Sequence, residues 1–122
     1  MATTTLTSDS IDIRFTARER MWTRQQQLTV PLTAVRRVTS VAEPLRLARG
    51  ARRGLTVSGI VKIGVWGLFG GPRQLVSARA GQPGLHLVVQ PDAAGGYDEI
   101  VLSDPDAPAL AAAIQHAAGS RP

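Results

Sequence analysis

Through most of the chain apolar and polar positions alternate with a period of two. Ile11, Ile13 and Phe15 alternate with Asp12, Arg14 and Thr16, and Leu28, Val30 and Leu32 repeat the pattern. Side chains of a strand point alternately to its two faces, so this period predicts half-buried β-strands. Pro31 marks an edge or a break in the second of them. Val35, Val38 and Val41 make AVRRVTSVA a further, β-branched strand. Ile60 to Phe69 predicts a long strand, in which Gly64 and Gly67 signal a bulge, a bend or the close approach of another backbone. Gln74, Val76 and Ala78 then oppose Leu75, Ser77 and Arg79. Leu85, Leu87 and Val89 alternate with His86, and Tyr97 to Leu102 is the last strand. Gly70-Gly71, Ala80 to Gly84 and Pro91 to Gly96 supply the turns between them.

Two stretches leave this period. ARERMWTRQQQ, after the first strand, predicts a short helix or bulged turn. Ala107, Leu110, Ala111, Ile114 and Ala118 follow the spacing of one helical face. Asp104 or Ser103 can cap that helix, Pro105 suits its first turn, Asp106 meets the positive end of its dipole, and Gly119 ends it. So short a helix needs a surface to pack on, and the preceding sheet offers one. The expected architecture is mainly β with a C-terminal α-helix over about residues 104–118. Seven antiparallel strands form a sandwich or partly open barrel capped by that helix. Residues 1–10 read as a flexible lead-in, 11–118 as a single domain and 119–122 as a short tail. Leu45 to Gly54, LRLARGARRG, reads as a loop because Gly50 and Gly54 argue against a helix.

Composition narrows the classes open to this chain. Its 122 residues suit one domain, and the lack of cysteine excludes disulfide and thiol chemistry. No apolar run approaches the roughly 20 residues of a membrane-spanning helix. The opening MATTTLTSDS has neither the basic start nor the apolar core of a secretory signal, so a cytoplasmic protein is expected, with any membrane contact peripheral. The net charge of +5 is unevenly placed. From Arg14 to Arg79 there are 13 basic groups against Glu19 and Glu43, whereas beyond residue 90 five acidic groups face only Arg121. Such asymmetry suits an anionic partner for the front half, or contact between the basic region of one copy and the acidic end of another. The excess of 13 arginines over one lysine is also what GC-rich coding produces.

Catalytic constellations are missing from the pattern. His86 and His116 have no cysteine and no partner at metal-ligand spacing, so neither a metal nor a cofactor is expected. Asp98 and Glu99 are neighbours in a strand and point apart. No serine sits in a nucleophile elbow, and the glycines of GVWGLFGG do not precede a helix. Two groups remain as candidate sites. Arg18, Arg20, Arg24, Arg36 and Arg37, together with Arg46, Arg49, Arg52 and Arg53, can offer planar forks to phosphate or carboxylate. Trp66, Leu68 and Phe69 place large apolar groups at a hairpin tip, Trp66 and Leu68 on one face and Phe69 on the other. Nucleic acid is the less favoured partner, since only five aromatic residues are present and Trp22, Trp66 and Phe69 are wanted for the core.

Three tracts resemble a known family. VPLTAVRRV (Val30 to Val38), Arg79 to Pro83 with the Leu85/Leu87 alternation behind it, and the ending SDPDAPALAAAI are similar to tracts of bacterial pleckstrin-homology-like proteins. Together they cover most of residues 11–118. The resemblance implies a scaffold that binds proteins, peptides or phosphoinositides, and fold alone does not choose among these. In lipid-binding members basic residues follow the first strand. Arg14, Arg18, Arg20 and Arg24 occupy that neighbourhood here, without the family's lysine-led pattern. The expectation is a non-enzymatic module acting through protein contacts, self-association among them. The alternative is peripheral binding of an anionic phospholipid or another phosphate-bearing ligand through the arginines.

Overall fold

The computed structural model describes residues 2–48, 50, 52–68 and 70–119. Strands β1 (Thr3–Leu6), β2 (Ser10–Arg14) and β3 (Gln27–Pro31) form an antiparallel sheet in that order, with helix α1 (Ala17–Thr23) between β2 and β3. A second sheet follows. It contains β4 (Val35–Val41), β5 (Arg52–Val57), β6 (Val61–Trp66), β7 (Gln74–Arg79), β8 (Gly84–Val89) and β9 (Glu99–Ser103), in the lateral order β4-β8-β9-β7-β6-β5. Helix α2 (Ala107–Gly119) closes the chain. The fold is mainly β with a C-terminal helix, as the periodicity predicts. Among the described residues no helix is long and apolar enough to cross a membrane.

Among the described residues nine strands in two open sheets replace the expected seven-stranded sandwich or barrel. One extra strand is β1, which lies in the stretch read as a flexible lead-in. The Thr7 N–H donates to the Ser10 carbonyl (2.8 Å), and that turn folds Thr3 to Leu6 back along β2. The other is β5, which lies within the stretch read as a loop. Gly54 acts there as a pairing residue, because it stands opposite Gly64 where the two backbones touch. A methyl group on Gly54 would lie 2.2 Å from the Ile63 carbonyl oxygen, and one on Gly64 would lie 2.3 Å from that of Arg53. The close approach signalled by Gly64 is therefore to β5. The sheet is also not wholly antiparallel: β9 enters between β7 and β8 and runs parallel to β7, Gln74 facing Glu99 and Ser77 facing Leu102.

The inner face of the large sheet carries the main core. Leu75, Leu85, Leu87, Ile100 and Leu102 meet Ile11, Ile13, Phe15, Leu28 and Val30 of the small sheet and Ala107, Ala111 and Ile114 of α2. These are the alternating and helical positions read from the sequence. The start of α2 is set by Asp104, whose carboxylate accepts the Asp106 N–H at 2.8 Å while its carbonyl accepts the Ala107 N–H at 3.0 Å. On the outer face Trp66, Val76, Ala78 and Val101 form a smaller cluster. It is covered by Leu45, Leu47 and Ala48, on and after a 3-10 turn at Pro44–Leu47 that lies across β7, β8 and β9.

Candidate functional site

The sheet order decides how far the candidate arginines can cooperate. Arg36 and Arg37 stand on β4 at one lateral edge, and Arg52 and Arg53 stand on β5 at the other. Five strand spacings separate those edges, about 24 Å along the sheet. Arg18 and Arg20 lie on α1, and Arg24 ends it in a left-handed conformation (φ 59°). Arg46 is paired with Glu43 (2.8 Å) in the outer segment, and the Arg36 guanidinium donates to the Gln90 side chain. Arg49 lies outside the described residues. The fold therefore spreads these groups over two edges, a helix and an outer turn instead of gathering them around one ligand.

Of the apolar candidates, Trp66 is only 3% exposed and lies in the outer cluster, while Leu68 packs against the main core. The expected shared face is lost because β6 stops at Trp66. Gly67 turns the chain with φ 77°, and a side chain there would meet the Pro72 carbonyl oxygen at 2.0 Å. Phe69 lies outside the described residues. The segment over Trp66 is held by two side chains from the sheet: Lys62 Nζ donates to the Leu45 carbonyl (2.9 Å), and Gln74 Nε2 donates to the Leu47 carbonyl (2.7 Å). Beneath it Glu99 is buried, with Oε1 2.7 Å from His86 Nε2 and 3.4 Å from Gln74 Nε2. Asp98, its neighbour, accepts the Arg73 backbone N–H at 2.9 Å.

A second buried carboxylate belongs to α1. Glu19 is 2% exposed. Its Oε1 accepts the Thr16 N–H (3.1 Å) and hydroxyl (2.9 Å), while the Thr16 hydroxyl caps the Glu19 N–H, so the two ends form a capping box. Its Oε2 accepts the Ser77 hydroxyl from β7. The fully buried Ser77 thereby ties α1 to the sheet and is not presented to a substrate. Thr16-x-x-Glu19 is the sequence signal that announces this helix start.

The surface that stands apart lies beside that helix. Val57 and Ile60 are 43% and 56% exposed, on either side of Ser58-Gly59. The turn is closed by the Ile60 N–H on the Val57 carbonyl (2.9 Å), and the Ile60 carbonyl accepts the Ala80 N–H (2.8 Å). Two bonds thus fix both side chains in solvent. Next to them a groove of about 340 Å³ is floored by Leu55, Val61 and Ile63 and flanked by Arg18 and Arg79. Compared with protein-family models, curated proteins and solved structures, the chain matches none. Its own geometry carries the argument. The groove ends at β5, whose outer edge has no strand beside it among the described residues. Val-Ser-Gly-Ile, apolar on both sides of a small turn, was the available signal for this site. Reading Leu45 to Gly54 as a loop left the turn without a hairpin to belong to.

Proposed function

We propose that the chain is a non-enzymatic interaction module that works through protein contacts, with a second copy of itself among its partners. The observation that carries this is the fixed apolar turn, Val57 and Ile60, at the end of edge strand β5, whose outer side has no strand beside it among the described residues. Large apolar side chains held in water by backbone bonds gain free energy when a partner covers them. An open strand edge offers that partner unpaired N–H and C=O groups. The likeness to pleckstrin-homology-like proteins enters at the level of architecture, a run of strands closed by one helix. The parallel β7–β9 pair and the two open sheets are where this chain departs from that pattern. In this reading the module is cytoplasmic. Light scattering over a concentration series tests it: the average mass of the wild type should rise, and that of Ile60→Asp should stay at one chain. A wild type that remains monomeric throughout sinks the self-association.

A second reading has its own observation. Arg18, Arg20, Arg24, Arg37 and Arg52 are exposed, and none forms an ion pair with a described residue. Guanidinium groups spread in this way suit a flat anionic surface such as a phospholipid bilayer better than a compact ligand. Co-sedimentation with neutral and anionic vesicles separates the two readings. Salt-sensitive binding to the anionic vesicles alone, lost in Arg20→Glu/Arg24→Glu, would favour the lipid.

A further inference from the structure

The fixed apolar turn does not stand alone at its end of the sheet. The pairing register places Val57 beside Val61, Val61 beside Arg79, Ser77 beside Leu102, and Ser103 beside Gly84. The chain therefore leaves β9 towards Asp104 and Asp106 at the same end at which β5 turns into β6. Three strand spacings separate β5 from β9, about 14 Å along the sheet. Around Asp104 and Asp106 lies a second cleft, about 550 Å³, walled by Thr4, Ala109, Leu110 and Ala113. Its charge and shape are the converse of the first site. One half of this end carries the exposed Val57–Ile60 turn, beside the groove that Arg18 and Arg79 flank. The other half carries a concave alanine- and leucine-lined cleft with two aspartates. The hydroxyl of Thr4, on that cleft wall, is buried and has no hydrogen-bond partner.

Resting on the self-association just proposed, we infer that this end of the sheet is a two-fold interface between two copies of the chain. The Val57–Ile60 turn of each copy seats in the Asp104/Asp106 cleft of the other. A surface bearing a projection and its complement side by side satisfies both when rotated by a half-turn onto a second copy, and the contact then closes on itself. Had the two halves lain at opposite ends of the molecule, the same contacts would have produced an open chain. Arg18 and Arg79 face Asp106 and Asp104 across the interface, and Ile60 covers Leu110. The charges set register and encounter rate, and the apolar turn supplies the burial.

Charge reversal in two halves tests this arrangement. Arg18→Glu is one variant and Asp106→Arg the other. Both positions are exposed, and circular dichroism checks that each variant folds. Light scattering of the wild type should approach twice the chain mass of 12.9 kDa. Each variant alone juxtaposes like charges, and its dissociation constant should rise at least about tenfold. Mixed in equal amounts, the variants should recover the dimer, because both contacts of the mixed pair are again complementary. Asp106→Asn should fall between wild type and Asp106→Arg. If the wild type is monomeric at every concentration, self-association itself fails, and this interface with it. If the wild type dimerises but neither variant weakens it, the interface is wrong and the self-association stands. A mass that grows beyond two chains with concentration overturns the closed two-fold contact.

Discussion

On the inner face of the six-stranded sheet Leu75, Leu87, Ile100 and Leu102 are fully buried beneath a second sheet and helix α2. On the outer face Trp66, Val76 and Val101 lie under a short irregular segment, beside a row of polar groups, Gln74, Glu99 and His86. The two faces exclude water by different means. The inner one relies on apolar volume contributed by both sheets and α2, and its specificity comes from packing. On the outer face the cover must satisfy its own backbone, and it does so by taking donors from Lys62 and Gln74. A sheet buried on both faces normally has regular elements on each side. Here one face is closed by side-chain hydrogen bonds to a strap, so that face should open first.

The largest effect expected from this contrast is on the inner face. Leu102→Ala removes a fully buried side chain where β9 meets the small sheet, and should cost about 2–5 kcal/mol. Equilibrium denaturation in urea measures it. A loss near that of an exposed position would mean that the two sheets do not share one core.

Next comes the strap. Gln74→Leu keeps the volume but deletes the donor to the Leu47 carbonyl and the contact to Glu99, and should cost about 1–3 kcal/mol. Lys62→Met removes the donor to the half-buried Leu45 carbonyl, which water can replace, and should cost only about 1 kcal/mol. Hydrogen exchange separates these from a global loss. The backbone amides of residues 45–48 should exchange faster in both variants, while β7 and β9 keep their protection. If Gln74→Leu speeds exchange in β7 and β9 by the same factor as in the strap, the two faces unfold together and the contrast is wrong.

What the sequence reveals of this fold follows the same division. Inner-face positions were legible because burial on one side of a strand imposes the period of two, and α2 was legible because its apolar stripe and its Asp-Pro start agree. β5 was hidden because the feature that admits it to the sheet, a glycine facing a glycine across the pair, looks like a loop signal in one dimension. β1 was hidden because TTTL has few apolar groups to alternate. The insertion of β9 beside β7 is a long-range choice that no local pattern encodes. For the candidate site, composition showed the arginines but not their separation, which depends on sheet order. Trp66 was singled out as a large apolar group at a hairpin tip, yet Gly67 removes it from Leu68 and the strap covers it. The exposed pair at Val57 and Ile60 became visible only when β5 did.

The smallest effect belongs to a third kind of face, the solvent side of the small sheet, where neither burial nor a strap operates. Asp12 on β2 accepts from Gln27 and Thr29 of β3 and from Arg14, and these bonds, that from Gln27 foremost, hold its carboxyl below the usual carboxylate range. A carboxyl whose pKa is lowered by folding binds protons less readily when folded than when unfolded. Its stabilising contribution is therefore present above about pH 4 and is lost as the pH falls through the folded value. Asp12→Asn should lower the thermal midpoint slightly at neutral pH, and the difference should shrink to nothing in strong acid. Added salt should narrow the gap at neutral pH, because the group is exposed and its charge interactions are screened. Midpoints measured across the acid range at two ionic strengths read both effects. A difference that widens towards acid would reverse the sign of the linkage and show that the Gln27 bond does not favour the charged form.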